Sequence, residues 1–306
     1  MDRPPPDPSA EPDGYIVAAD DGTRIHFLDW GLPPAGARPL PGALLLHGLG
    51  QTGWAWAPVA RRLAGSMRVV AADLRGHGLS DAPTHGYDAA TLSLDAAAVG
   101  EAAGLLPDPV IVVGHGFGGI VAAAFAARIR SGCAGLVLVD GGWEAVDAGE
   151  DPDLAAWLRS IEEPPEVLAS MDALLADRIA FDPSTWDADQ ERAVRASVVE
   201  LPAGRVVAVT RRHVLEGIGA TLLGYDPLTV LPAVTAPIVA VAARDDAEGT
   251  RTAALRRASA AVVASGLPAI AWTTFPGDGH NLPRHRPDAI AGAILTRARA
   301  AVVGGA

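Results

Sequence analysis

The chain alternates between two kinds of hydrophobic pattern. Short apolar runs occupy residues 43–47, 67–73, 110–114, 135–140, 237–243 and 269–275. Between them, apolar residues recur at helical spacing over 54–64, 92–105, 116–129, 250–264 and 287–302. Strands that read as continuous apolar runs, each followed by a helix, predict a parallel sheet covered on both faces. Residues 15–19 and 24–30 read differently. They flank Asp21-Gly22, a hairpin signal, and so predict an antiparallel pair at one sheet edge.

The strand rhythm stops between Trp143 and about Pro227. Helix-like spacing continues there over 153–161, 165–179 and 187–199. An insertion that follows a parallel strand lies at the strands' C-terminal end, where open α/β folds bind ligands. The expected organisation is a flexible tail over 1–14, a core over 15–142 and 228–306, and a helical cap over 143–227.

Composition narrows the chemistry. All 24 basic residues are Arg, against 36 acidic residues, for a net charge of −12. Schiff-base and P-loop lysine chemistry is therefore excluded. The acidic balance and the lack of a basic run disfavour nucleic acid and anionic membrane as partners. The single Cys133 fits a reducing compartment, and no run is long enough to span a bilayer, so a cytoplasmic protein is expected. Histidine spacing suggests no metal site, and no dinucleotide fingerprint is present, so no cofactor is expected.

The most informative segment runs from Val110 to Gly119, VIVVGHGFGG. A strand, a Gly-rich turn and a helix start follow without a spacer. That is the context of a nucleophile elbow, G-x-S-x-G, with Gly116 at its centre. With His47-Gly48-Leu49-Gly50, Asp73–Asp81 (DLRGHGLSD), Ala243-Arg244-Asp245-Asp246 and Gly277-Asp278-Gly279-His280-Asn281, five motifs stand in one order. On these the chain resembles the α/β-hydrolase superfamily, in its cap-bearing esterase, epoxide hydrolase and haloperoxidase-like branch.

The resemblance implies an α/β-hydrolase fold, a mostly parallel eight-stranded sheet with a helical cap. It implies His280 as catalytic base and Asp246 as its acid, with Asp245 and Asp140 as alternatives. Backbone N–H groups of Leu49 and Phe117 would form the oxyanion hole. His47, His115, Trp54 and Trp143 are candidate substrate contacts, each with a packing role as the plainer reading. Arg211, Arg212 and His213 are candidate contacts for an anionic substrate, or simply a solvated helix face. Asn281 adjoins the expected base. Gly116 departs from the pattern, because the family holds Ser, Cys or Asp there.

Losing such a nucleophile costs roughly 10⁶ in turnover. The leading expectation is an enzyme acting on a small or medium carbonyl compound, an ester or lactone, in which either a serine was replaced or His280 activates water. A lyase- or cyclase-type enzyme and a non-catalytic ligand-binding protein are the alternatives. The expected partner is a small molecule, and the expected state a monomer or homodimer.

Overall fold

A computed structural model describes residues 10–33, 40–145, 154–247 and 249–304. Strand β1 (Asp13–Ala18) pairs antiparallel with β2 (Arg24–Asp29). Then come β3 (Ala43–Leu46), α1 (Ala57–Leu63), β4 (Val69–Ala72), α2 (Ala89–Ala102), β5 (Val110–His115), α3 (Phe117–Ile129) and β6 (Cys133–Val139). The inserted segment holds α4 (Leu154–Ser160), α5 (Met171–Phe181), α6 (Ala188–Ala196), β7 (Val198–Glu200), β8 (Val206–Ala208) and α7 (Arg212–Leu223). The chain closes with α8 (Pro227–Val230), β9 (Ile238–Ala242), α9 (Thr250–Ala264), β10 (Ala271–Thr274), α10 (Leu282–His285) and α11 (Pro287–Gly304).

The sheet has eight strands in the order β1-β2-β4-β3-β5-β6-β9-β10. All neighbours from β4 to β10 are parallel, and the antiparallel hairpin lies at the edge. Strands β3, β4 and β5 are buried along their whole length. Alternate residues feed two apolar layers. Leu44, Leu46 and Val112 join Phe125 of α3 and Leu255 of α9 on one face. Leu45, Ile111 and Val113 join Leu63 of α1 and Ile294 of α11 on the other. Each fully buried Leu, Ile or Val contributes about 1.5–3 kcal/mol, so the central strands form a rigid platform for the loops at their C-terminal ends.

Two expectations are corrected. The segment expected as a tail over 1–14 is fixed in its described part. The strand β1 begins at Asp13, and Glu11 bonds Arg61 of α1 and Arg192 of α6. Residues 1–9 lie outside the described residues. The insertion is also not wholly helical. Val198–Glu200 and Val206–Ala208 form an antiparallel hairpin where helix had been expected to run to residue 199. The adjoining V-V pairs carry β-branched side chains that favour extended backbone, and Gly204 at φ +83° closes the turn. Among the described residues, no helix is long and apolar enough to cross a membrane.

Candidate active site

The central turn is built by crowding. After the β-branched run of β5 the chain reverses through Gly116, at φ +52° and ψ −119°, straight into α3. Gly116 N–H donates to Val139 O at 3.0 Å, tying the turn to β6. A Cβ on Gly118 would meet Leu46 O at 2.3 Å and His47 O at 2.4 Å, so α3 can approach β3 this closely only with glycine there.

His280, after β10, lies against this turn. A Cβ built on Gly116 would meet His280 Nε2 at 2.9 Å and Cε1 at 3.2 Å, with Gly48 Cα next at 3.8 Å. His280 Nδ1 is 2.6 Å from Asp140 Oδ2. The carboxylate accepts from Nδ1–H, which leaves Nε2 with its lone pair aimed at the unfilled position of the Gly116 side chain. The His280 side chain is 61% exposed, whereas that of Asp140 is 0% exposed.

Asp140 terminates β6 at φ +46° and is held from three directions. Ala243 N–H donates to Oδ1 at 2.8 Å, and Arg251 Nη1 lies 2.9 Å from the same oxygen. Burial pushes the carboxyl pKa up. The bond from His280, the Ala243 N–H and the charge of Arg251 outweigh burial and hold it below the usual range. Arg251 is braced by Glu144 at 3.0 Å and reaches over the Trp143 ring at 5.7 Å.

Asp246 does not reach His280. It accepts from Thr250 N–H at 2.7 Å and also bonds the Thr250 hydroxyl, capping the start of α9. Asp245 likewise accepts from Arg251 N–H and Thr252 N–H, at 3.0 and 2.9 Å. Both carboxylates serve the exposed N-terminus of a helix, a favoured place for acidic side chains. Asp140 takes the imidazole instead.

The oxyanion candidates are free. Among the described residues, neither Leu49 N–H nor Phe117 N–H makes a hydrogen bond. The loop carrying Leu49 is shaped by buried histidines. His47 Nδ1 bonds Gly48 O at 2.8 Å and its Nε2 accepts Leu74 N–H at 2.9 Å. His77 Nε2 accepts Gly50 N–H at 3.2 Å. Burial holds the His77 pKa down to about 3 and lowers that of His47, so both rings are neutral acceptors.

Several expected substrate contacts are corrected. His47 is fully buried in this loop frame. His115 is buried as well. Its Nε2 lies 2.9 Å from His280 O and its Nδ1 3.0 Å from the Gln51 amide, which also accepts Gly48 N–H at 3.0 Å. Burial, reinforced by the neighbouring His280 imidazole, lowers the His115 pKa to about 3. Trp143 is buried behind Asp140, and Trp54 lies under Arg192 of α6 at 4.6 Å. Large apolar rings near a site were absorbed by packing, the commoner fate. Arg212 pairs with Glu216 at 3.0 Å on an exposed face, and His213 bonds Ala82 O at 3.2 Å. Ser80 bonds Asp73 O at 2.7 Å within its own loop.

Two cavities separate the oxyanion loop from the inserted segment. The larger, about 300 Å³, is lined by Leu49, Leu168, Leu174, Val194 and Leu215 among others. The smaller, about 190 Å³, runs past Gln51, Asn281, Arg284 and Trp186. Sequence reasoning passed over Gln51, Arg251 and Arg284. Only Gln51, one residue beyond the H-G-x-G stretch, stood close enough to a motif to be noticed.

A family model for the alpha/beta hydrolase family matches residues 43–293. The chain belongs to the alpha/beta hydrolase family. Within this family it is similar to epoxide hydrolase 4 of Mus musculus, 36% identical over 118 residues, which are 38% of this chain and 31% of the relative. It is similar also to a non-heme chloroperoxidase of Streptomyces lividans, 36% identical over 117 residues, or 38% of this chain and 40% of that one. The matched segment thus spans about a third to two fifths of these relatives' length. Among solved alpha/beta hydrolase folds, an E-2-(acetamidomethylene)succinate hydrolase superposes with a TM-score of 0.73 at 21% identity, covering 93% of this chain and 98% of the other. A thioesterase domain from the curacin biosynthetic pathway superposes at 0.71 and 22% identity, covering 93% and 99%.

Proposed function

We propose that this alpha/beta hydrolase cleaves a small or medium ester or lactone with water, rather than a side chain at position 116, as the nucleophile. One observation carries the reading. His280 Nε2, oriented by buried Asp140, faces the unfilled side-chain position of Gly116 beside two N–H groups without acceptors. A water there donates its proton to Nε2 as its oxygen attacks the carbonyl carbon. The carbonyl oxygen becomes an oxyanion held by Leu49 N–H and Phe117 N–H. Asp140 stabilises the imidazolium, which then protonates the departing alkoxide. The products are a carboxylic acid and an alcohol, and His280 returns neutral. The apolar cavity under α5 and α6 accommodates the acyl or alkoxy chain.

A general base contributes about 10²–10⁴-fold and an oxyanion donor about 10²–10³-fold. Turnover is therefore measurable but far below that of a covalent elbow. The test is single-turnover hydrolysis of short aryl esters and lactones in ¹⁸O-water, with mass spectrometry of the chain. The label enters the acid product in the first turnover, no acylated chain accumulates, and His280→Ala loses about 10²-fold or more. An acylated chain, or unchanged turnover in His280→Ala, refutes the proposal.

A further inference from the structure

We infer that the smaller cavity is a carboxylate subsite, so that the substrate carries an anionic group remote from its reacting carbonyl. This rests on the hydrolytic reading above for the identity of the carbonyl, but not for the anion site itself.

Arg284 of α10 carries the argument. Several partly or fully buried arginines of this chain meet carboxylates. Arg61 pairs with Asp189, Arg68 with Asp29, Arg75 with Asp95 and Arg251 with Asp140. Arg284 is partly buried, yet among the described residues no carboxylate lies in ion-pair range of it. Its Nε donates to the Thr185 hydroxyl and its Nη2 to Asp182 O, both at 2.5 Å and both neutral. The Asp182 carboxylate turns away, to Ser184, Thr185 and His285. The guanidinium is also fixed over the Trp186 ring at 5.8 Å. The Asp182 charge is felt by Arg284 but makes no direct ion pair with it, and a guanidinium held rigid with Nη1 unused presents a ready carboxylate donor.

The surroundings fit an anion that belongs to the substrate. Arg284 lines the same cavity as Asn281, the neighbour of His280, and as Gly50 and Gln51, the neighbours of the Leu49 oxyanion donor. A ligand whose carboxylate meets Arg284 runs along this cavity past Asn281, and its carbonyl would extend beyond the cavity lining to reach the neighbouring His280. Arg178 reaches the same space, but its charge is met by Glu163 and Asp177. Among the described residues lining this cavity, Arg284 is the cation with no carboxylate in ion-pair range.

The test has a binding arm and a turnover arm. In the first, glutarate is titrated by calorimetry into the intact chain and into Arg284→Gln, Arg284→Lys and His280→Ala. Glutarate binds the parent, and Arg284→Gln weakens it about 10–100-fold, as expected for a hydrogen-bonded charge. Arg284→Lys, which keeps the charge but not the fork, is intermediate. In the second, kcat/KM is compared for p-nitrophenyl hemiglutarate and neutral p-nitrophenyl pentanoate. The anionic ester is favoured at least tenfold, and Arg284→Gln collapses that ratio. Glutarate binding that is absent in the parent, or equal in parent and a folded Arg284 variant, overturns the inference. Should neither ester react while glutarate still requires Arg284, in parent and in His280→Ala alike, the hydrolytic reading fails and the anion site stands.

Discussion

Installing a serine at the elbow, Gly116→Ser, tests the geometry of the whole site. The backbone at 116 sits at φ +52° and ψ −119°, a region that costs an L side chain about 1–3 kcal/mol. The new Cβ also arrives 2.9 Å from His280 Nε2. That contact must lengthen by several tenths of an ångström. The neighbour is the tip of an exposed ring, so the ring can retreat, though the 2.6 Å bond to Asp140 limits how far. The melting temperature should fall by roughly 2–12 °C, taking about 2–4 °C per kcal/mol.

Activity should move the other way. Once the ring shifts, Oγ sits within hydrogen-bond reach of a base already oriented by Asp140, and the two free N–H groups already face the developing oxyanion. Losing such a serine elsewhere costs about 10⁶, and a site not fitted to it recovers only part, so a gain of about 10³–10⁵ on p-nitrophenyl acetate is expected. Stopped-flow release of p-nitrophenol should show a burst, with the acetylated chain visible by mass spectrometry. A variant that melts within the stated window yet shows neither burst nor gain would refute the assignment of His280, Leu49 and Phe117 as a working set.

Four further outcomes follow from the same contacts. Asp140→Asn should lower turnover by about 10³–10⁴, because an amide that presents its NH₂ to Nδ1 selects the wrong tautomer; turnover within tenfold of the parent would contradict this. Asp246→Ala should leave turnover unchanged and cost about 0.5–2 kcal/mol in urea unfolding, as loss of a helix cap does; a collapse in rate would restore Asp246 as the acid. His77→Ala should free Gly50 N–H and loosen the oxyanion loop, reducing kcat more than it raises KM in steady-state kinetics. Stability should fall on acidification. His77 and His115 are held near 3 in the folded chain against about 6.5 unfolded, so the unfolded state takes up protons first and the contribution, full above pH 6.5, is lost as pH falls toward 3. The slope approaches about 1.4 kcal/mol per pH unit for each ring, and a flat stability profile between pH 7 and 4 would contradict their burial as neutral groups.

Much of the core was legible because its signals are local. The runs at 43–47 and 110–114 are β-branched or leucine-rich and end in glycine turns, so strands β3 and β5 differ from them by a residue at most. The helix over 250–264 was bounded by polar residues on one side and Ser265-Gly266 on the other, and α9 spans the same positions. The inserted segment was harder. Its side chains pack on one another and on the oxyanion loop, and the β7–β8 hairpin depends on pairing across residues 201–205 rather than on a clean period of two. His280 could be singled out because a histidine after glycine, between the last strand and a helix, has a local signature. Asp140 could be offered only as one of three acids, from its place after a strand, and Arg284 not at all: each is set apart by a partner more than 95 positions away in sequence.

The position of the acid explains why Asp246 misled. Two strand ends, β6 and β9, lie side by side in the sheet, so a carboxylate after either can approach the histidine loop. What decides between them is how the backbone ends. Asp140 takes φ +46°, which turns its side chain under His280, and Gly141 lies so close to Gly116 that a Cβ would meet Gly116 Cα at 2.7 Å. That approach seats β6 directly behind the elbow. After β9, by contrast, the polar residues lead straight into α9, and their carboxylates satisfy its first N–H groups. The second strand still contributes, but through cation and backbone rather than acid. Arg251 returns from α9 to Asp140 Oδ1, and Ala243 N–H donates to the same oxygen. The motif that resembled an acid turn thus supports an acid on the neighbouring strand. Removing Arg251 should therefore weaken the site through Asp140. An Arg251→Met variant should move the acid-side fall in kcat/KM to higher pH, since the Asp140–His280 pair then loses a neighbouring positive charge and takes up a proton more readily; an unshifted acid limb would show that Arg251 braces Trp143 and Glu144 alone.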